Sequence, residues 1–300
     1  MVEGSKLWQA LTQETFSTIN EEFIENFRSP GAANKFVAWD PYEKSTRYLK
    51  FLLFTISQSA SSKFIESYKK LSNVGLGNPI YIKNRDCKLN ADYMAAVEEW
   101  EFLDNSAEMD VSKIKNIVEI GGGFGRTCHT LFTLFPNLES YTIIDLGPML
   151  ALSQHYLAKV IPSKISQIHF IDSESFEQQK YLNPDLVVNI DSFQEMPLAV
   201  IDDYMERIVS KGRYFYSKNA IGKYLPHIIG MPDLKSDQIL DVFELGRCRD
   251  TIDIFNDVEL AGARKKYLEL YNPSNKQWIL KNEIPMSMFP YFHHALYERI

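Results

Sequence analysis

Hydrophobic spacing changes character about a third of the way along the chain. In the first part, Trp8, Leu11, Phe16, Ile19, Phe23, Ile24 and Phe27 recur near helical period until Ser29-Pro30-Gly31 interrupts them. Tyr48, Leu52, Ile56, Phe64, Ile65 and Tyr68 then share a face, which predicts a second helix from Thr46 to Leu71. The stretch "SNVGLGNPIY" is dense in breakers and reads as a loop. Next, "NADYMAAVEEWEFLDN" reads as a helix, with Asn90 or Asp92 placed to cap it.

From Lys115 onward the apolar runs shorten and alternate with helical segments: "IKNIVEI", "ESYTIIDL", "SQIHFID", "PDLVVNID" and "GRYFYSK". That alternation predicts a parallel sheet with crossover helices. Near the end, "KYLELYNPSNKQWIL" reads as two strands joined by a hairpin at Asn272–Asn275. The predicted organisation is a helical region over 1–110 followed by an α/β domain over 111–300. No internal repeat or low-complexity segment is visible.

Composition narrows the function classes. The chain has 300 residues, 45% hydrophobic, enough for one large core or a catalytic domain with a smaller companion. A net charge of -7 argues against nucleic acid as the main partner. No run approaches the ~18 apolar residues of a membrane span, and the first residues lack the pattern of a signal peptide. Cys87, Cys128 and Cys248 are few and scattered, which suggests reduced thiols rather than disulfides or zinc ligands. The expected setting is the cytoplasm.

The chemistry concentrates in "VEIGGGFGR", residues 118–126. Glycines directly after a strand let backbone approach a ligand, and the following helix offers free N–H groups. A dinucleotide loop wants G-x-G-x-x-G, but counted from Gly121 the third position is Arg126. The G-x-x-x-x-G-K-[ST] phosphate loop is absent. The spacing that fits is E-x-G-x-G-x-G, through Glu119, Gly121, Gly123 and Gly125. Further strand ends carry Asp145, Asp172-Ser173, and Asn189 with Asp191. Taken singly, each is equally a turn or capping residue.

Together these strand ends resemble motif I and its sequels in class I S-adenosylmethionine-dependent methyltransferases. The resemblance implies a Rossmann-like α/β sheet, mostly parallel with an antiparallel C-terminal hairpin, behind a helical N-terminal extension. It further implies that Glu119 lies beneath the loop to receive the ligand's ammonium, directly or through water. Asp145 would hold two ribose hydroxyls, Asp172 and Ser173 would meet the adenine, and Asn189 would face the methyl end. The strings "IIDLGPMLALSQHYL" and "DLVVNIDSFQEMP" are similar to a family of sugar O-methyltransferases, over roughly Ile114 to Lys218. The implied acceptor is a sugar hydroxyl, on a glycan or a nucleotide sugar.

A hydroxyl is a weak nucleophile and needs a general base near the methyl group. Asp191 is the first candidate, followed by Glu195 and His227; His155 is a further imidazole. Tyr216, Lys218 and Asn219 follow the fifth run and could orient hydroxyls. Each has a plainer reading. Ser192-x-x-Glu195 with Pro197 is a capping-box pattern, His155 sits on a helix, and His293-His294 lies in an aromatic packing segment.

Magnesium would need clustered carboxylates. Asp191, Asp202 and Asp203 are candidates, yet adjacent residues of a helix point apart, so the sequence argues against a required metal. Lys223, Tyr224, His227, Arg247 and Arg249 in the insertion after the fifth run suit a sugar ring or a diphosphate. The N-terminal helices could shape the acceptor site, form a homodimer, or dock a glycan-assembly enzyme. Three alternatives stay open: a phenol or other alcohol acceptor, a non-catalytic scaffold of the same fold, and nucleotide-dependent oxidoreduction.

Overall fold

The computed structural model describes residues 19–29, 46–107, 109–175, 182–225, 227, 243–274 and 276–300. The expectations for Trp8, Leu11 and Phe16 lie outside them. Helix α1 is short, Glu21–Asn26, capped by Asn20, whose side chain accepts from Phe23 N at 2.9 Å. The single helix predicted from Thr46 to Leu71 is two helices, α2 (Thr46–Gln58) and α3 (Ser62–Lys70). The break falls in "SQSASS", where Ser61 Oγ accepts from Phe64 N at 2.8 Å and starts α3. Its hydroxyl outcompetes helix continuation, which apolar spacing alone does not register.

A hairpin that the sequence reading missed follows, β1 (Tyr81–Asn84) and β2 (Cys87–Asn90). Its turn residues Arg85 and Asp86 both have positive φ, 46° and 62°, the geometry tight hairpins require. The usual Asn-Gly signal is absent, so nothing in the sequence marked it. Helix α4 (Ala91–Asp104) begins where expected, with Asn90 Oδ1 accepting from Tyr93 N at 3.1 Å.

Arg28 fastens the first segment to this helix. Its guanidinium is buried and donates to Asp92 Oδ2, Asn90 Oδ1 and Leu76 O at 2.6 to 2.9 Å. It also lies over the Phe124 ring at 5.1 Å, so the N-terminal segment touches the glycine loop. Trp100, Phe102 and Leu103 of α4 share one core with Ile117, Ile143 and Leu186 of the sheet. The core is therefore continuous across the expected boundary at residue 110.

The central sheet contains β3 (Asn116–Ile120), β4 (Ser140–Asp145), β5 (Ile168–Asp172), β6 (Leu186–Ile190), β7 (Tyr214–Ala220), β8 (Trp278–Pro285) and β9 (Phe292–Arg299). Its order is β5-β4-β3-β6-β7-β9-β8. Strands β3 to β7 pair in parallel, while β9 runs antiparallel between β7 and β8. Helices α5 (Arg126–Leu134), α6 (Gly147–Val160) and α7 (Leu198–Arg207) are crossovers. Cover on both faces explains why every residue of β6 is buried.

One predicted strand is helical. Lys266–Tyr271 ends α8 (Asp257–Tyr271), capped by Asn256 Oδ1 accepting from Val258 N at 3.1 Å. Tyr267 and Tyr271, four apart, bury the same face, a helical period that the adjacent Leu268 and Leu270 blur. The C-terminal hairpin instead joins β8 to β9.

The chain winds outward from β3 to β4 and β5, then returns to β6 and β7 on the other side. Strand order thus reverses between β3 and β6, and a crevice opens at their carboxyl ends. Among the described residues no helix is long and apolar enough to cross a membrane.

Candidate functional site

The glycine loop fills one side of that crevice. Gly121 and Gly125 have φ of +78° and +92°, which side chains with a Cβ rarely adopt. A Cβ at Gly121 would overlap Ser192 Oγ, and one at Gly125 would stand 2.9 Å from Leu157 of α6. Close approach of β6 and α6 to the loop therefore requires glycine at both places. Gly125 also caps α5 with no side chain, leaving the first helical N–H groups facing the crevice.

Glu119 is buried beneath the loop, and its Oε2 accepts from Tyr141 OH at 2.9 Å. Burial pushes its carboxyl up to about 7, against the pull of Tyr141 and Arg126. Asp145, at the end of β4, accepts from Gly123 N at 2.8 Å and from Leu146 N at 2.7 Å. It too rises to about 7: burial outweighs both donors, and Glu195 and Asp172 add like charge. Asp172 stands opposite Asp145 in register, its Oδ1 accepting from Glu174 N at 2.9 Å. Ser173 N donates to Asp145 O at 2.9 Å, whereas its buried Oγ has no hydrogen-bond partner.

Asn189 differs from its expected role. It is fully buried, donating to Ile120 O at 3.0 Å and accepting from Asn219 Nδ2 at 2.8 Å. Its amide ties β3, β6 and β7 together and turns away from the crevice. The capping-box reading of Ser192 and Glu195 also fails. Ser192 Oγ donates to Ile120 O at 2.9 Å, and helix α7 starts only at Leu198. Glu195 lies in a short turn, Phe193–Glu195, and its charge acts on Asp145.

Asp191 sits just past β6 with φ +59°, its N–H donating to Lys218 O at 2.8 Å. Its Oδ2 is 3.2 Å from Lys218 Nζ and 3.7 Å from Arg126 Nη2. Its Oδ1 is buried and has no partner, so the 33% exposure of the side chain lies on its other atoms. Burial raises the Asp191 carboxyl above its ordinary value, against Lys218 and Arg126. Both cations also meet Glu99 of α4, with Lys218 at 2.8 Å and Arg126 at 3.0 and 3.2 Å. Burial would raise the Glu99 carboxyl, yet Arg126 and Lys218 hold it below its ordinary value. Sequence reasoning missed Glu99 and Tyr141. Glu99 is one of three acids in "MAAVEEWEFL", and nothing in the string singles it out.

The histidines lie elsewhere. His155 is exposed on α6, its Nδ1 2.8 Å from Ala151 O. His227 is exposed, and the charges acting on Asp191 come from Lys218, Arg126 and Glu99 instead. His293 and His294 are buried in β9, paired with Glu283 and, at 2.8 Å, with Tyr216 OH. Burial pushes His294 down, and the Lys218 charge adds to this. Tyr216 packs beneath α4, against Phe102 at 5.5 Å, and Asn219 is held by Asn189.

The insertion's arginines are engaged internally. Arg247 donates to Leu270 O and Asp202 at 2.5 Å, and Arg249 to Gly246 O at 3.0 Å. Lys223 donates to Gln194 O at 3.1 Å, and Tyr224 meets Tyr291 edge-on at 5.5 Å. Residues 228–242 lie outside the described residues. Asp203 pairs with Arg207, so neither Asp202 nor Asp203 joins Asp191. Among the described residues no three His, Cys, Asp or Glu side chains gather as a metal site.

No protein-family model matches the chain, and no curated protein matches it. Solved structures do. The mitomycin 7-O-methyltransferase MmcR matches at TM-score 0.42 and 13% identity, over 90% of this chain and 72% of that one. The plantazolicin methyltransferase BpumL, in complex with SAH, matches at 0.45 and 10%, over 86% and 96%. An O-methyltransferase family 2 protein from Planctomyces limnophilus, in complex with apigenin, matches at 0.41 and 12%, over 69% and 60%. The sheet of this chain, taken by itself, is mostly parallel and closed by antiparallel strands.

Proposed function

We propose that the protein transfers the methyl group of S-adenosylmethionine to a hydroxyl of a small acceptor, with a sugar hydroxyl as the specific case. One observation carries the reading. The glycine loop over Glu119, the Asp145 carboxylate and the partly exposed side chain of Asp191 lie at the carboxyl ends of β3, β4 and β6, where strand order reverses.

The residues match the cofactor's groups one by one. Glu119 gives an acid beneath the loop for the ammonium, held by Tyr141. Asp145 gives two oxygens for ribose hydroxyls, each such bond to a charged acceptor worth about 1.5–3 kcal/mol. Ser173 brings a buried hydroxyl still in need of a partner, next to Asp172. The cofactor, when bound, supplies a methyl already activated on a sulfonium. What remains for the protein is to align the acceptor and remove its proton. Asp191 takes that proton on its carboxylate, a contribution of about 10²–10⁴ in rate. Lys218 Nζ, 3.2 Å from Asp191 Oδ2, helps hold the carboxylate in place. Glu195 and His227 are not needed for this step. No step calls on a metal.

Calorimetry tests the reading, using S-adenosylmethionine, S-adenosylhomocysteine and NADH. The expected result is binding of the first two, loss of both in Asp145→Ala, and none of NADH. A folded protein that binds neither adenosyl ligand overturns it. Methyl uptake by a panel of sugars, compared with a panel of phenols, then tests the acceptor class.

A further inference from the structure

We propose that Glu99 is a positioning residue: it draws Lys218 and Arg126 toward itself and leaves the Asp191 carboxylate loosely paired, able to take up the acceptor's proton. This rests on the reading of Asp191 as general base. The argument is geometric. A carboxylate bound closely by two cations is a poor base, because protonation must break both ion pairs. Asp191 has two cations beside it, yet each lies closer to Glu99. Lys218 Nζ is 2.8 Å from Glu99 and 3.2 Å from Asp191. Arg126 meets both Glu99 oxygens, at 3.0 and 3.2 Å, and Asp191 only at 3.7 Å.

Burial makes the arrangement obligatory. The side chains of Glu99 and Lys218 are 0% and 1% exposed, so water cannot balance either charge. Two cations face two acids, and the more buried acid takes the shorter contacts. Without the Glu99 charge, Asp191 would be the nearest anion left for both cations, and its carboxylate would be drawn into closer pairing.

Other groups around Asp191 do not substitute for Glu99. Tyr216 of β7 and Tyr291 before β9 face it, and burial raises both phenols, so neither carries charge at neutral pH. Glu98 of α4 acts on Lys218 but is held by Ser287 N at 2.7 Å. His294 of β9 is kept neutral by burial and by Lys218.

The test is carboxyl-carbon NMR on full-length protein with labelled aspartate, the Asp191 signal being assigned with Asp191→Asn. Glu99→Gln should lower the Asp191 midpoint by about one unit, a tenfold change in its acidity, and Glu99→Asp should recover most of the shift. An unchanged or raised midpoint in folded Glu99→Gln overturns the proposal. If Glu99→Gln does not fold, Lys218→Gln is compared with Lys218→Gln/Glu99→Gln, which removes a buried cation and a buried acid together. A lower midpoint in the double variant supports the proposal, and equal midpoints overturn it. S-adenosylhomocysteine calorimetry on the same wild-type sample separates the two readings. Failure to bind sinks the methyl-transfer reading but leaves the Asp191 titration to be judged by itself.

Discussion

The two ends of the crevice are built on different principles. The Asp145 end is backbone and strand ends: a glycine loop, a carboxylate accepting from Gly123 and Leu146 N–H groups, and residues within one 57-residue stretch from Val118 to Glu174. The Asp191 end is four charged side chains from α4, α5, the end of β6 and β7, with Glu99 and Lys218 separated by 119 positions. The first is rigid because glycine backbone and parallel register define it. The second is rigid because the buried Glu99 and Lys218 pair with each other and with Arg126 and Asp191. Affinity should therefore follow the first end and turnover the second.

The largest expected effects try to break that division. Asp145→Ala removes an acceptor of two hydroxyls, about 3–6 kcal/mol in all, so adenosyl-ligand affinity should fall by about 10²–10⁴-fold in calorimetry. Asp191→Asn should leave that affinity within about threefold, yet slow methyl transfer by about 10²–10⁴ in single-turnover assays. An Asp191→Asn protein that loses affinity as well would show that the two ends act as one.

The same contrast governed what the sequence revealed. Motif spacing is local, so Glu119, the glycines and Asp145 could be read from one strand–loop–helix and the next strand end. Lys218 was visible only as a residue after the fifth run. Glu99 was not visible at all, because its role depends on α4 packing across the sheet. Asn189 misled for a related reason: its position at a strand end was right, but a buried amide must satisfy its own donors, and Ile120 O and Asn219 were the nearest means. The α8 segment misled because Tyr267, Leu268, Leu270 and Tyr271 suit either period, and the deciding cap, Asn256, lies eleven residues upstream of Tyr267.

A steric change at the Asp145 end should act through stability. Gly121→Ala imposes a Cβ at φ +78° and drives it into Ser192 Oγ. The expected cost is about 2–3 kcal/mol, from left-handed strain plus overpacking, measured by urea unfolding. Adding Ser192→Gly, which also removes the Ser192 Cβ that would stand 2.3 Å away, should recover only part, since the φ strain persists. Full recovery would mean that the close approach of β6 alone demands glycine there.

The proton balance at this end gives opposite trends for ligand and fold. Asp145 has an ordinary value of 3.8 and rises to about 7 in the folded chain. Between those values the native state holds a proton that the unfolded state has released. Stability of the ligand-free protein should therefore fall as pH rises from about 4 to 7, then level off. Glu119, raised from 4.5 to about 7, acts in the same direction. Ribose hydroxyls favour the ionised Asp145, so S-adenosylhomocysteine affinity should instead rise with pH, by about fivefold between pH 6 and pH 7. Parallel trends in the two measurements would mean that Asp145 does not receive the ligand.

The smallest expected effect is at Ser173, and its sign is the informative part. Its Oγ is buried without a partner, a state that costs about 1–3 kcal/mol unless something completes it. Ser173→Ala removes that unmet demand, so the ligand-free protein should become slightly more stable in thermal unfolding. If the adenine supplies the missing partner, the same substitution should weaken S-adenosylhomocysteine by about three- to tenfold, the net worth of one neutral hydrogen bond. Stability and affinity would then move in opposite directions in one variant. A gain in stability with unchanged affinity would remove Ser173 from the ligand's contacts and leave Asp172 alone at that strand end.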